Sequence, residues 1–265
     1  MTDQKNNQPT TPLQLFKKTV NSESVQAQFA NALGESKNLF TASLIELYTN
    51  TSLSNCNPNE VICEALKAAV LKLPLSKSLG LAWIVPRKGK PVFQIGYIGY
   101  IQLAIRSGQY ETINADVVYK GEYLKKDKLS GIYDLSGTKE CDEIIGYFAY
   151  LKLKNGFFKS LYSTNEEIIE HAKKFSPSYF AKNSVWKSDF DAMAKKTLIS
   201  ALLRKWGILS IDIQTAFESD SDDQYSESDN ENTNDKKTLD ITSMQDGNNS
   251  ESERKEEQDE EQPGF

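Results

Sequence analysis

Arg87-Lys88-Gly89-Lys90 sets three cations within four residues. Such a run can follow the phosphates of a polyanion, each contact releasing a condensed counterion. Close behind it comes Gln94-Ile95-Gly96-Tyr97-Ile98-Gly99-Tyr100-Ile101-Gln102. Gly96 and Gly99 permit close backbone approach, and a helix opening there would turn free N–H groups toward an anion. Tyr97 and Tyr100 offer flat faces on which bases stack, and Gln94 and Gln102 offer amide hydrogen bonds. Arg106 follows Gln102 by about one helical turn. A third set of cations, Lys187, Lys195, Lys196, Arg204 and Lys205, lies in the segment Trp186 to Trp206 and flanks its apolar stripe instead of forming one face. Each feature also has a plain reading: a solvated hairpin tip, glycine and tyrosine at a core edge, and a solvated helix flank.

Enzyme chemistry has fewer carriers. The chain has one histidine, His171, and no G-x-S-x-G, H-E-x-x-H or Walker sequence. The glycine pair lacks the third glycine of a dinucleotide fingerprint. Glu166, Glu167 and Glu170, or Asp189 and Asp191, could hold Mg²⁺ for a nuclease, and they serve equally as first-turn acids at helix starts. Cys56, Cys63 and Cys141 are odd in number and lack the paired spacing of a zinc site. Sparse, odd cysteines fit reduced thiols in a cytosol. No metal or other cofactor is expected.

These residues sit in a chain divided by charge. The 265 residues carry a net charge of -6. From Glu218 onward, 17 acidic and 4 basic residues give -13, which leaves +7 for residues 1–217. A basic domain beside an acidic tail points to a polyanion partner. The tail is too poor in apolar side chains to offset its ordering entropy and is expected to be disordered. The expected division is therefore a flexible arm at 1–11, one folded domain at 12–217 and a disordered tail at 218–265. The longest apolar run, Leu79 to Val85, has seven residues including Gly80, too short to span a membrane. The first eleven residues lack the apolar stretch of a signal peptide.

The elements that must position these side chains read as follows. Leu13 to Tyr48 has helical periodicity interrupted at Gly34, and Asn57-Pro58 opens a further helix. Leu81 to Pro86 and Pro91 to Gly96 flank the cationic turn as a hairpin. A short buried helix then runs to Gly108, followed by a strand from Glu111 and a lysine-rich loop from Glu122 to Glu143. Ile144 to Leu153 and Phe157 to Ser163 flank Asn155-Gly156 as a second hairpin. Thr164 with Glu167 caps a helix, and Trp186 to Trp206 reads as one long helix closed by Gly207. The expected fold class is α+β: a small mixed or antiparallel sheet with two hairpins, packed by helices that precede and follow it.

Leu79 to Tyr110, LGLAWIVPRKGKPVFQIGYIGYIQLAIRSGQY, closely resembles the core motif of the RecT family of single-strand annealing proteins, distant relatives of the Red-beta recombinases. Trp186 to Gly207, with Met193-Ala194-Lys195-Lys196-Thr197, is a second co-linear match. The resemblance covers about Leu33 to Ala216. It implies a non-enzymatic protein that binds single-stranded DNA and pairs it with its complement without ATP. It further implies rings or helical filaments with DNA in a basic groove, and service in phage or prophage homologous recombination in the cytoplasm of a bacterial host. Implied partners are the annealed duplex intermediate, further copies of the chain, a 5′→3′ exonuclease and the host single-stranded DNA-binding protein. Under that reading Lys77, Arg87, Lys88, Lys90, Arg106, Lys187, Lys195 and Lys196 contact the backbone, Lys196 matching a family lysine implicated in DNA contact. Gln94, Gly96, Tyr97, Gly99, Tyr100 and Gln102 approach the strand. Ile98 stands where many members carry a basic residue. The tail tip, Asp259 to Phe265, is similar to the acidic tip of bacterial single-stranded DNA-binding protein and suggests competition for its partners or autoinhibition of the groove. Passive coating of single strands and metal-dependent nuclease action are the alternatives.

Overall fold

The structure, a computed structural model, describes residues 11–76, 78–176, 178–182, 184–208 and 210–220. The N-terminal arm through residue 10, Lys77 and the tail beyond 220 lie outside them.

Four helices come first. α1 (Pro12–Val20) opens on a capping box between Thr11 and Gln14. α2 (Glu23–Leu33) ends at Gly34, whose φ of 57° suits glycine. α3 (Lys37–Asn50) follows a short 3-10 turn. α4 (Pro58–Val70) begins with Asn57 accepting the Asn59 N–H and Pro58 in the first turn. Phe16, Val20, Phe29, Leu44 and Tyr48 are fully buried among them, and the Phe16 and Tyr48 rings stack with centroids 3.9 Å apart.

The cationic turn forms as the sequence predicts. β1 (Ala82–Arg87) pairs antiparallel with β2 (Lys90–Ile95), Arg87 opposite Lys90. Lys88 and Gly89 make the two-residue loop with φ of 49° and 80°, the positive values that a tight hairpin of this hand needs. α5 (Tyr97–Arg106) follows at once. β3 (Tyr110–Tyr119) leads into a lysine-rich excursion in which β4 (Lys125–Lys126) pairs with β5 (Tyr133–Asp134). β6 (Ile144–Leu153) and β7 (Phe158–Thr164) complete a sheet ordered β3-β6-β7, antiparallel throughout. At their turn Asn155 Oδ1 accepts the Phe157 N–H at 2.9 Å, and Gly156 has φ of 89°.

α6 (Asn165–Phe175) opens on the expected box, Thr164 and Glu167 each bonding the other's backbone. Thr164→Ala is expected to lower stability by about 1 kcal/mol in urea unfolding, because one helix N–H loses its acceptor. Then come α7 (Val185–Ser188), α8 (Phe190–Trp206) and α9 (Ile211–Ser219). α8 packs on β3, β6 and β7, while α5 packs on α8, β3 and α9. The architecture is α+β, with helices before and after the small antiparallel sheets.

Two local expectations change. Trp186 to Trp206 is not one helix. Asp189, at φ -151° and ψ 72°, leaves the helical region and caps α8 by accepting the Ala192 N–H at 3.1 Å. Lys187 therefore belongs to α7, and its angular relation to Lys195 and Lys205 is set by the break. Second, α9 carries the chain past the boundary drawn after residue 217. Ser210 caps it, Ile213 and Ala216 are buried, and Asp220 just beyond it is 2% exposed.

Candidate nucleic-acid interface

β2 passes into α5 at Gly96, whose N–H donates to the Leu81 carbonyl at 2.9 Å. The two glycines face the protein's own chain. A Cβ on Gly96 would meet the Gly80 carbonyl oxygen and the Trp83 ring, and one on Gly99 would meet the Leu81 carbonyl oxygen and the Ile95 side chain. The close approach that Gly96 and Gly99 permit is thus taken up by the segment leading into β1. Gln94 is 6% exposed and Tyr100 fully buried, so both point into the core and away from any strand on the surface. The Tyr100 ring lies 5.4 Å from that of Phe217 on α9. Tyr97 keeps a partly open face, with the Lys195 ammonium 5.6 Å from its centroid. Gln102 is exposed. Arg106 is exposed too, but one guanidinium nitrogen donates to the Leu71 carbonyl at 2.6 Å and ties α5 to the end of α4.

The cations divide by burial. Lys88, Lys90 and Lys187 are exposed and Arg87 is half-buried. Lys195 is partly buried and pairs with Asp116 on β3 at 3.0 Å. Burial alone would lower its pKa, but Asp116 holds it above the ordinary lysine value. Asp116 moves the other way: burial favours its neutral form, yet Lys195 and the Val117 N–H bring it below the ordinary carboxylate value. Lys196, expected on the groove, is 5% exposed, with its ammonium 2.9 Å from the buried Asp220 carboxylate. The change of direction from one helical residue to the next decides this, since Lys196 faces α5 and α9 from inside.

A cleft of about 310 Å³ opens where Trp83, Tyr97, Ile98, Asp189, Asp191 and Lys195 come together. Trp83 is hidden in an apolar run that reads as strand. The alternation of β1, with Ala82 and Ile84 buried, is the signal that turns Trp83 to the other side. Asp220 has no comparable local signal.

Three of the five acids that a nuclease could use have other partners. Asp189 caps α8 and Glu167 caps α6. Asp191 accepts the Tyr147 hydroxyl at 2.5 Å, and burial together with that carboxylate pushes the phenol well above its usual range. Among the described residues no three of His, Cys, Asp and Glu stand close enough to hold a metal ion. None of the described helices is long and apolar enough to cross a membrane.

The two chemistry-bearing segments, far apart in sequence, meet where α5 packs on α8, Tyr97 beneath Lys195 and Tyr100 beside Lys196. Fold and site define a basic α+β domain built around a strand–helix junction braced by a lysine-bearing helix. The chain belongs to the RecT family, which it matches along residues 38–237. It is 46% identical to the "Uncharacterized protein YqaK" of Bacillus subtilis over 203 residues, 76% of this chain and 70% of that protein. It is 29% identical to "Protein RecT" of Escherichia coli over 219 residues, 76% of this chain and 78% of that one. Family membership supports a general role in single-strand annealing and recombination, the work of annealing proteins and not of catalysts.

Proposed function

We propose that this chain binds single-stranded DNA and anneals it to its complement without ATP, in phage or prophage recombination in a bacterial cytoplasm. The observation that carries the reading is the packing of α5 on α8, which unites the two segments of the family motif. Arg87, Lys88, Lys90 and Lys187 would follow phosphates, with Tyr97 and Gln102 against the strand and Lys195 at the rim. Binding directed to phosphate and sugar suits annealing, which must work on any sequence. Rings or filaments of the chain would carry the groove, a 5′→3′ exonuclease would supply the single strand, and the host single-stranded DNA-binding protein would be a further partner. The proposed Lys77 contact, the tail-tip likeness and the arm fall outside the described residues.

The test mixes the full chain with one oligonucleotide, adds the complement and follows pairing by fluorescence, with and without Mg²⁺. Faster pairing with intact strands is expected. Binding without acceleration would leave a passive coat, and strand loss with Mg²⁺ would restore the nuclease. For Arg87→Ala with Lys88→Ala, the expected result is weaker binding to all sequences. The slope of log affinity against log salt should become shallower by about 1.4, since each single-strand phosphate that the protein neutralises accounts for roughly 0.7. An unchanged slope takes this turn out of the groove.

A further inference from the structure

At the root of the acidic tail a carboxylate fills the place where the two motif segments meet. Asp220 Oδ2 accepts the Ile95 N–H at 3.2 Å, the Tyr100 hydroxyl at 3.1 Å and the Lys196 ammonium at 2.9 Å. The donors come from β2, α5 and α8, and Asp220 and Lys196 are 2% and 5% exposed. One ammonium, one hydroxyl and one backbone N–H converging on a single oxygen is the donor set that holds an oxyanion. Nothing in that set is particular to a carboxylate. A buried ammonium does, however, require an anion at all times.

The segment that delivers Asp220 is a short one. α9 has nine residues, of which Ile213 and Ala216 are buried, and Phe217 leans on Tyr100 and on Arg204, whose guanidinium carbon lies 4.0 Å from its ring centroid. A helix of this length does not hold its shape in water without its docking contacts. The chain beyond it is strongly acidic.

We propose that the cradle of Ile95, Tyr100 and Lys196 is a binding site for a DNA phosphodiester, held in cis by Asp220, and that strand binding lifts α9 and seats a phosphate in its place. The proposal rests on the reading of the chain as a single-strand binder and adds to it a site that is closed in the free protein. The exchange keeps Lys196 paired throughout, carboxylate for phosphate. It also gives the buried lysine of the second motif segment a route to DNA that its position otherwise denies.

Asp220→Asn keeps the side-chain shape and removes the competing charge. Anisotropy titrations of a labelled oligodeoxythymidine against the full chain are expected to show about tenfold tighter binding. The salt slope should match that of wild type, because the same phosphate fills the cradle once the strand is bound. Affinity equal to wild type would make Asp220 a structural cap and end the proposal. Because the variant could lose its fold, the wild-type chain supplies a second arm. Amide hydrogen exchange of residues 211–219 is expected to speed up when oligodeoxythymidine is added. Binding with α9 equally or better protected overturns the cradle alone, and absence of any binding overturns the DNA reading and the cradle with it.

Discussion

Lys196→Ala is expected to lower the unfolding free energy by about 3–5 kcal/mol, the usual loss when one member of a buried ion pair is removed. Asp220 would keep the Tyr100 hydroxyl and the Ile95 N–H but lose the Lys196 charge in a place where it is only 2% exposed. The neighbouring Lys195→Ala supplies the contrast. Its partner Asp116 is 55% exposed, so solvent screens that pair and the loss should stay below about 1 kcal/mol. Urea unfolding at constant slope measures both. If the two adjacent lysines gave equal losses, the buried character of the Lys196–Asp220 pair would be wrong. Replacing both Lys196 and Asp220 by apolar residues of similar volume should recover only part of the loss: the desolvation of two charges disappears together, but the Ile95 N–H and the Tyr100 hydroxyl lose this acceptor.

Gly99→Ala should cost about 3 kcal/mol, the upper part of the range for overpacking, because the obstacle is backbone. The new methyl would run into the Leu81 carbonyl oxygen and come within 2.8 Å of Ile95 Cγ2. Gly99 lies in a helix, where alanine would otherwise add about 1 kcal/mol of stability, so any net loss is steric. Gly89→Ala is the control: no atom lies within 4 Å of its Cβ position, and its φ of 80° leaves only local strain. Thermal melts should rank Gly99→Ala well below Gly89→Ala. Equal melts would mean that the segment before β1 sits further from α5 than the structure has it.

Much of this fold is legible in the sequence because its punctuation is local. Lys88-Gly89 and Asn155-Gly156 set the hairpins, Thr164 with Glu167 sets the start of α6, and Pro58 marks the start of α4. The misreadings have physical causes. Asp189 breaks a helix that apolar periodicity alone would continue, because its side chain satisfies the N–H of Ala192. α9 runs two residues past the boundary at 217, so its end and the buried Asp220 fall within a stretch whose acidic composition reads as tail. In the candidate site, residue types are visible in the sequence and the directions of their side chains are not. Tyr100, Leu103 and Ala104 form the buried face of α5, a spacing already visible in the sequence, and it separates Tyr100 from the more open Tyr97. The glycine pair signals a close approach, but nothing local says whether a ligand or the chain's own backbone will arrive. The hydrogen bond of Asp220 with Ile95 spans 125 residues, and no window along the sequence contains it.

That span also orders events during synthesis. The N-terminal helices, the first hairpin and α5 leave the ribosome well before Asp220, and a domain can pack only what has emerged. Until the residue after α9 arrives, Lys196 has no Asp220 to receive it. The junction of the two motif segments is therefore the last part of the domain to close. A nascent chain stopped short of residue 220 would carry an open, positively charged seam where the finished protein has a sealed one.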